Sequence, residues 1–204
     1  MKAVSCKVCR RLGVSVCGKE KCALKRRPTS PGQIKKKRRR GFSEYGLQLR
    51  EKQKLRNLYN LREAQFRSLV KKVLESQQKG GKDVSHSLVQ MLESRLDNAI
   101  FRLGLASSRA QARQLVSHGH FQVNGKSINV PSYRLKKGDV IKLKAGSAGK
   151  SFFKNVLPSI KKKKIPSWLK LNPETVEAQV VAELDAQEVD LPVEIPVIFE
   201  YYSR

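Results

Sequence analysis

Two helical patterns, a tight turn and a short strand follow one another without a break over residues 93–125, ESRLDNAIFRLGLASSRAQARQLVSHGHFQVNG, and this stretch constrains the fold most. Leu88, Met91, Leu92, Leu96, Ala99, Ile100 and Leu103 recur at three- and four-residue steps, which gathers them on one face of an α-helix running through residues 88–103. Gly104 can end that helix. Ser107 or Ser108 then offers a side-chain oxygen to the first free amides of a second helix, with Ala112, Leu115 and Val116 turned inward and Arg109 and Arg113, one turn apart, on another face. Gly119 is its natural stop. Residues 121–123 read as a strand, Asn124 and Gly125 as the two-residue turn of a hairpin, and residues 128–130 as its return. Beyond it, PSYRLKKGDVIKLK over residues 131–144 sets Leu135 and the Val140, Ile141, Leu143 group around a turn, which predicts more antiparallel strand. Strands packed on two helices give a compact α+β unit of about 60 residues, small but able to fold alone.

Charge indicates what such a unit meets. Lysine and arginine number 43 against 17 acids, a formal charge of +26, far more than solubility requires, so a polyanion is the expected partner. The surplus is uneven: residues 171–204 hold eight acids and one base, so this tail is ill suited to phosphate. No apolar run approaches the roughly 18 residues of a membrane span, and the basic N-terminus lacks the apolar core of a signal peptide, which predicts a soluble intracellular protein. With 204 residues, 39% of them hydrophobic, four segments are expected. These are an N-terminal knuckle and arm over 1–42, a helical lobe over 43–91, the α+β module over 92–155, and a C-terminal segment over 156–204 that packs on the helical lobe.

All four cysteines, Cys6, Cys9, Cys17 and Cys22, fall in the first segment. Short spacers within each pair let two thiolates approach one ion, and the longer central loop folds the second pair back over it, as tetrahedral zinc requires. Lys7, Arg10, Arg11, Lys19 and Lys21 would favour the thiolate form. The alternatives are reduced free thiols or disulfides, and disulfides fit poorly with an intracellular chain. The stretch KRRPTSPGQIKKKRRR over 25–40 combines two prolines with nine cations and cannot bury a core. It reads as an extended arm laying Arg26, Arg27, Lys35, Lys36, Lys37, Arg38, Arg39 and Arg40 along phosphates, or else as a solvated linker or targeting signal.

A helix is expected over 43–59 with Arg50, Lys52, Lys54 and Arg56 crowding its middle. A second follows, with Asn60 and Glu63 as a capping box and Phe66, Leu69, Val70, Val73 and Leu74 as its apolar stripe, broken by Gly80 and Gly81. Pro192 and Pro196 argue against a central strand near the C-terminus, although residues 197–202 could still pack on a neighbouring lobe or pair at an edge.

These residues resemble the bacterial small-subunit ribosomal protein S4 family in its zinc-bearing form. The motifs that carry the resemblance are LREKQKLRNLY at 49–59, LESRLDNAIFRLGLASSRAQARQLVSHGHFQVNG at 92–125, VPSYRLKKGD at 130–139, the ending FEYYSR, and the cysteine segment with its sequel RRPTSPGQ. The chain departs from that pattern in a short N-terminus, a contracted loop between the cysteine pairs, and Ile34 where a histidine is common. The resemblance implies a structural ribosomal protein that binds small-subunit rRNA first, nucleates assembly at a multi-helix junction, and sits near the messenger entry channel where decoding accuracy is affected. It also implies contacts with messenger RNA and neighbouring ribosomal proteins, and a ribosome of the cytoplasm or of an organelle.

On this basis Arg109, Arg113, Lys126, Arg134 and Lys136 are expected to form a rigid basic surface that recognises phosphates and 2′-hydroxyls as a shape. Ser108, Asn124 and Tyr133 join it, His118 and His120 stack on a base or meet a phosphate, and the face from Arg50 to Arg56 clamps another RNA helix. An enzymatic alternative exists because the same module occurs in pseudouridine synthases, whose catalytic aspartate follows an arginine and a leucine as Asp97 follows Arg95 and Leu96. Here the three are expected inside a helix, with no second domain to receive a flipped base. Asp97 is therefore assigned to pairing with Arg102 or another nearby cation, and Arg95 to phosphate. A general DNA-compacting protein would need none of the capped helices, the hairpin or the knuckle.

Overall fold

A computed structural model describes residues 3–19, 21–32, 41–78, 83–150, 152–153, 156, 165–172, 175–183 and 188–203. The chain forms two compact units, Met1–Leu88 with Asp190–Arg204, and Val89–Val189. Both helix and antiparallel sheet are present, as the α+β expectation requires.

In the first unit, α1 (Cys6–Leu12) ends at Gly13, whose φ of 72° makes the left-handed turn that glycine adopts without strain. With α2 (Ala23–Arg26) it encloses a small core of Cys9, Leu12, Val16, Cys17 and Cys22, against which Leu58 packs. The next helix, α3 (Glu44–Leu58), starts at Ser43, whose Oγ accepts from the Gly46 amide at 3.2 Å. The expected capping box at Asn60 lies two residues too early. Asn60 takes a positive φ of 50° in the turn, and α4 (Glu63–Gln77) starts at Arg62, whose amide donates to Gln65 Oε1. Phe66, Val70 and Val73 bury the stripe of α4, while Leu69 and Leu74 are half-buried. Gly80 and Gly81 lie outside the described residues.

Helix α5 (Val84–Glu93) crosses the division between units, and α6 (Leu96–Arg102) follows it. The single helix expected over 88–103 is thus two. Arg95 is extended at the break, with ψ of 138°, because the backbone there pairs with residues 133–135: the Leu96 amide donates to the Tyr133 carbonyl at 2.9 Å and the Leu135 amide to the Ser94 carbonyl at 2.8 Å. Of the two candidate caps for α7 (Arg109–Ser117), Ser108 occupies the cap position and accepts from the Gln111 amide.

The hairpin turns at Asn124 and Gly125, with φ of 50° and 78°, the pair of positive angles that a two-residue turn matched to strand twist demands. It joins β1 (Phe121–Val123) to β2 (Lys126–Ser127), so the return strand comes earlier than the 128–130 expected. Strand β3 (Val140–Leu143) pairs antiparallel with β1, Phe121 opposite Leu143, and α8 (Ala145–Ala148) follows. Two further strands, β4 (Leu169–Asn172) and β5 (Glu177–Val180), complete an antiparallel sheet in the order β2-β1-β3-β5-β4. The expected return of residues 156–204 onto the helical lobe is therefore divided. The strands extend the sheet of the second unit, and only Asp190–Arg204 belongs to the first.

That last segment forms a helix, α9 (Ile195–Ser203), packed on α3. Tyr201 lies 5.6 Å from the Tyr45 ring, and Tyr202 lies 6.2 Å from Phe66 and donates to Glu63 Oε1 at 3.0 Å. Burial pushes the Glu63 carboxyl up, but hydrogen bonds from Lys52 and Tyr202 and the charge of Arg56 outweigh it and hold the group below its ordinary 4.5. A depressed carboxyl stabilises the fold above its unfolded value and loses that contribution as pH falls through the folded value. Glu63→Gln should therefore lower the melting temperature at pH 7 by a few degrees, a loss of roughly 1 kcal/mol for so exposed a group, and calorimetry should find wild type and variant converging near pH 3.

Candidate RNA-binding surface and cysteine cluster

The N-terminal helix and loop bring the Sγ atoms of Cys6, Cys17 and Cys22 within 4.8 Å of one another. Cys9 lies in the same small core, its Sγ 4.0 Å from the Ser5 carbonyl oxygen. All four are free thiols, and three of them are buried. Zinc–sulfur bonds of about 2.3 Å place tetrahedral thiolates close to 4 Å apart, so a small contraction of this cluster fits that ion. The thiols are not equivalent. Burial pushes Cys17 up to about 12, whereas for Cys22 the same burial is outweighed by hydrogen bonds with the Leu24 backbone, Ser15 and Cys17, which bring it to about 7.

The basic face of α3, expected to clamp an RNA helix, makes contacts within its own unit. Arg50 donates to the Leu12 carbonyl at 2.7 Å, capping α1, and lies over the Phe42 ring. Lys52 is buried, 2.6 Å from Glu63 Oε1 and 4.5 Å from the Tyr201 ring centroid. Lys54 pairs with Glu51 and Arg56 with Glu63. The cause is that α3 packs against both α1 and α9. Arg26 and Arg27 are exposed, and Lys35, Lys36, Lys37, Arg38, Arg39 and Arg40 lie outside the described residues.

In the second unit the arginines sort into two groups. Asp97, 3% exposed at its side chain, holds Arg95 through both carboxylate oxygens at 3.0 and 2.8 Å and Arg113 through Nε and Nη2 at 3.0 and 2.9 Å. Arg95 is therefore a buried tie between the α5–α6 break and α6, where a phosphate contact was expected. Of the two alternatives for Asp97, Arg102 or another nearby cation, the structure shows the second, with Arg95 and Arg113 as the partners. Arg102 binds Glu93, a fully buried carboxylate that additionally accepts from Asn98 Nδ2 at 2.7 Å. Asn98 in turn accepts from Arg109 Nε at 2.8 Å, and Arg109 stacks 4.5 Å from the centroid of Phe101. No local spacing announces Glu93 as this anchor, because its partners lie five and nine residues away across a helix break.

The surface cations are different residues. Lys126 leaves the hairpin exposed, Arg134 and Lys136 are exposed beside the α5–α6 break, and Lys137 joins them at a position not singled out from the sequence, although the KKGD turn that contains it was. Asn124 is structural: its Nδ2 donates to Asp139 Oδ1 at 2.8 Å and its Oδ1 accepts from the Val140 amide at 2.9 Å. Tyr133 is half-buried and Ser108 is the α7 cap. The two histidines separate as well. His118 is exposed, while His120 is buried, bonded to Ser147 Oγ at 2.9 Å and edge-on to Phe153. Burial, Lys150 and His118 push His120 below its usual value and favour the neutral ring. Of the two, His120 is enclosed by its own core and His118 faces solvent.

Residues 1–93 match the family model described as the ribosomal protein S4/S9 N-terminal domain, and residues 94–141 match the S4 domain. The chain is 42% identical to the small ribosomal subunit protein uS4 of Caldicellulosiruptor bescii, an alignment covering 98% of this chain and 96% of that protein. It is 43% identical to the uS4 of Thermus thermophilus and 41% identical to that of Thermotoga petrophila, again over 98% of this chain and 96% of each relative.

Removing the carboxylate between two enclosed guanidinium groups leaves both without a counter-charge. Asp97→Ala should cost about 3–5 kcal/mol in urea denaturation, whereas an aspartate kept for chemistry would be removed with little loss of stability.

Proposed function

The chain belongs to the ribosomal protein S4 family, and on that premise we propose that it is a structural, non-enzymatic constituent of the small ribosomal subunit that grips small-subunit rRNA. The observation that carries the proposal is the division of arginines and lysines within residues 94–141. Arg95, Arg109 and Arg113 are turned inward on Asp97 and Asn98, and they fix a frame from which Lys126, Arg134 and Lys136 project. A rigid frame with outward cations recognises the spacing of phosphates and 2′-hydroxyls rather than a base sequence. Arg26, Arg27 and the basic arm at 35–40 add reach around other RNA helices of a junction, which suits a protein that binds early and nucleates assembly. Asp97 has no catalytic part in this function, because both its oxygens are occupied by guanidinium groups.

Contacts with messenger RNA near its entry channel, an effect on decoding accuracy, contacts with neighbouring ribosomal proteins and residence in cytoplasmic ribosomes complete the proposal. We assign zinc to Cys6, Cys9, Cys17 and Cys22. The ion would supply a crosslink to a segment whose own core is small, and the surrounding cations would offset the charge of the thiolates. Its chemistry there is structural.

Two measurements test these assignments. Purified without chelator, the protein should carry one zinc per chain by elemental analysis, and Cys6→Ser with Cys22→Ser should lose it; a metal-free wild type would leave the cysteines as buried apolar thiols. Binding to small-subunit rRNA should weaken with salt, each phosphate contact adding roughly 0.7–0.9 to the log–log slope. Lys126→Ala and Arg134→Ala should each lower that slope, and salt-independent binding would refute the proposed grip.

A further inference from the structure

The four cysteines stand on three pieces of backbone: Cys6 and Cys9 on α1, Cys17 in the loop that follows, and Cys22 at the start of α2. The chain turns from the first pair toward the second at Leu12 and Gly13, where α1 ends. The last carbonyls of a helix have no partner within it, and that of Leu12 is met from α3. Arg50 donates to it from both Nε at 3.3 Å and Nη2 at 2.7 Å. A guanidinium at a helix C-terminus also opposes the negative end of the helix dipole. The approach is close, because a Cβ placed on Gly13 would stand 2.9 Å from Arg50 Nη2, and Gly13 already holds a φ of 72°. The same guanidinium lies 5.0 Å from the centroid of the Phe42 ring.

We propose that Arg50 is a positioning residue for the metal: it fixes the turn at Leu12 and Gly13 so that the loop brings Cys17 and Cys22 to the pair on α1, and it thereby sets how tightly zinc is held. The inference rests on the assignment of zinc to the four cysteines. The cluster has little else to fix it, since its core comprises Cys9, Cys17 and Cys22 with only Leu12 and Val16. Leu12 belongs to that core, so a shift of the turn disturbs the packing on which three of the four thiols depend. Arginine suits the task because its planar fork sets two N–H groups on one carbonyl while its face lies against an aromatic ring, and the point charge of a lysine cannot do both. Groups outside the ligand set that fix its geometry are worth roughly 10- to 100-fold in metal affinity.

The full-length protein, loaded with zinc, is titrated with a chromophoric chelator of known zinc affinity, and the affinity of each variant is read from the competition at equilibrium. Arg50→Gln should weaken zinc binding roughly 10- to 100-fold. Gly13→Ala, which drives a methyl against the guanidinium at a left-handed position, should weaken it in the same direction, and it decides the matter if circular dichroism shows Arg50→Gln unfolded. Glu63→Gln loosens the contacts of α4 with α3 and α9 without touching Leu12, so its zinc affinity should equal that of wild type. With zinc in excess, the salt slope of rRNA binding by Arg50→Gln should stay at the wild-type value, because the guanidinium serves Leu12 rather than a phosphate. Wild-type zinc affinity in folded Arg50→Gln, or in Gly13→Ala where Arg50→Gln does not fold, would overturn the positioning role. So would an equal loss in Glu63→Gln, or a salt slope lower by about 1 in Arg50→Gln. A wild type that carries no zinc would overturn the metal assignment as well.

Discussion

The Asp97 carboxylate is the point on which the second unit depends. It faces two guanidinium groups from inside the protein, Arg95 at the break between α5 and α6 and Arg113 on α7, so a single side chain ties three backbone segments together. Glu93 does the same for Arg102 and Asn98, and Asn98 passes the connection on to Arg109. Enclosing so many ions is unfavourable unless every one is paired and hydrogen-bonded. Here the pairing is dense, and it trades freedom of the arginines for fixed positions of the backbone between them. A protein that recognises the shape of a folded polyanion needs that stiffness, because a soft surface would give up entropy each time it bound.

The first unit solves a related problem with less apolar material. Its N-terminal part has a core of three cysteines, a leucine and a valine, and it is held to α3 where Arg50 caps the last turn of α1. Lys52 on the neighbouring turn joins Glu63 to the tyrosines of α9. A helix that looks from its composition like an RNA-facing basic rod is thus the internal strut of its unit. The strongly basic chain uses part of its positive charge to hold itself together, while among the described residues exposed cations lie on α1, α2, α4, the hairpin and the KKGD turn.

Much of this was legible in the sequence because it depends on local chemistry. The hairpin at Asn124 and Gly125 follows from the φ those residues tolerate, the start of α7 from the reach of the Ser108 hydroxyl, and the stripe of α4 from helical spacing. The cysteine spacing likewise foretold a cluster, since the geometry of a short loop limits where its thiols can go. The helix break at Ser94 and Arg95 was invisible because the residues there suit a helix, and it exists only because residues 133–135 come alongside to pair with the backbone.

By itself, the sequence determined the family, the α+β class and the existence of a cationic RNA-binding module, all of which rest on residue identity and short-range spacing. Only the tertiary structure decided which cations face outward. Arg95 and Arg134 are equally basic on paper, yet one is closed in by Asp97 and the other stands in solvent. Tertiary packing likewise recruited β4 and β5 into the sheet. The physical reason is the same in each case: a long-range partner sets whether a charge is cheaper paired inside or hydrated outside, and the sequence around a residue does not contain that partner.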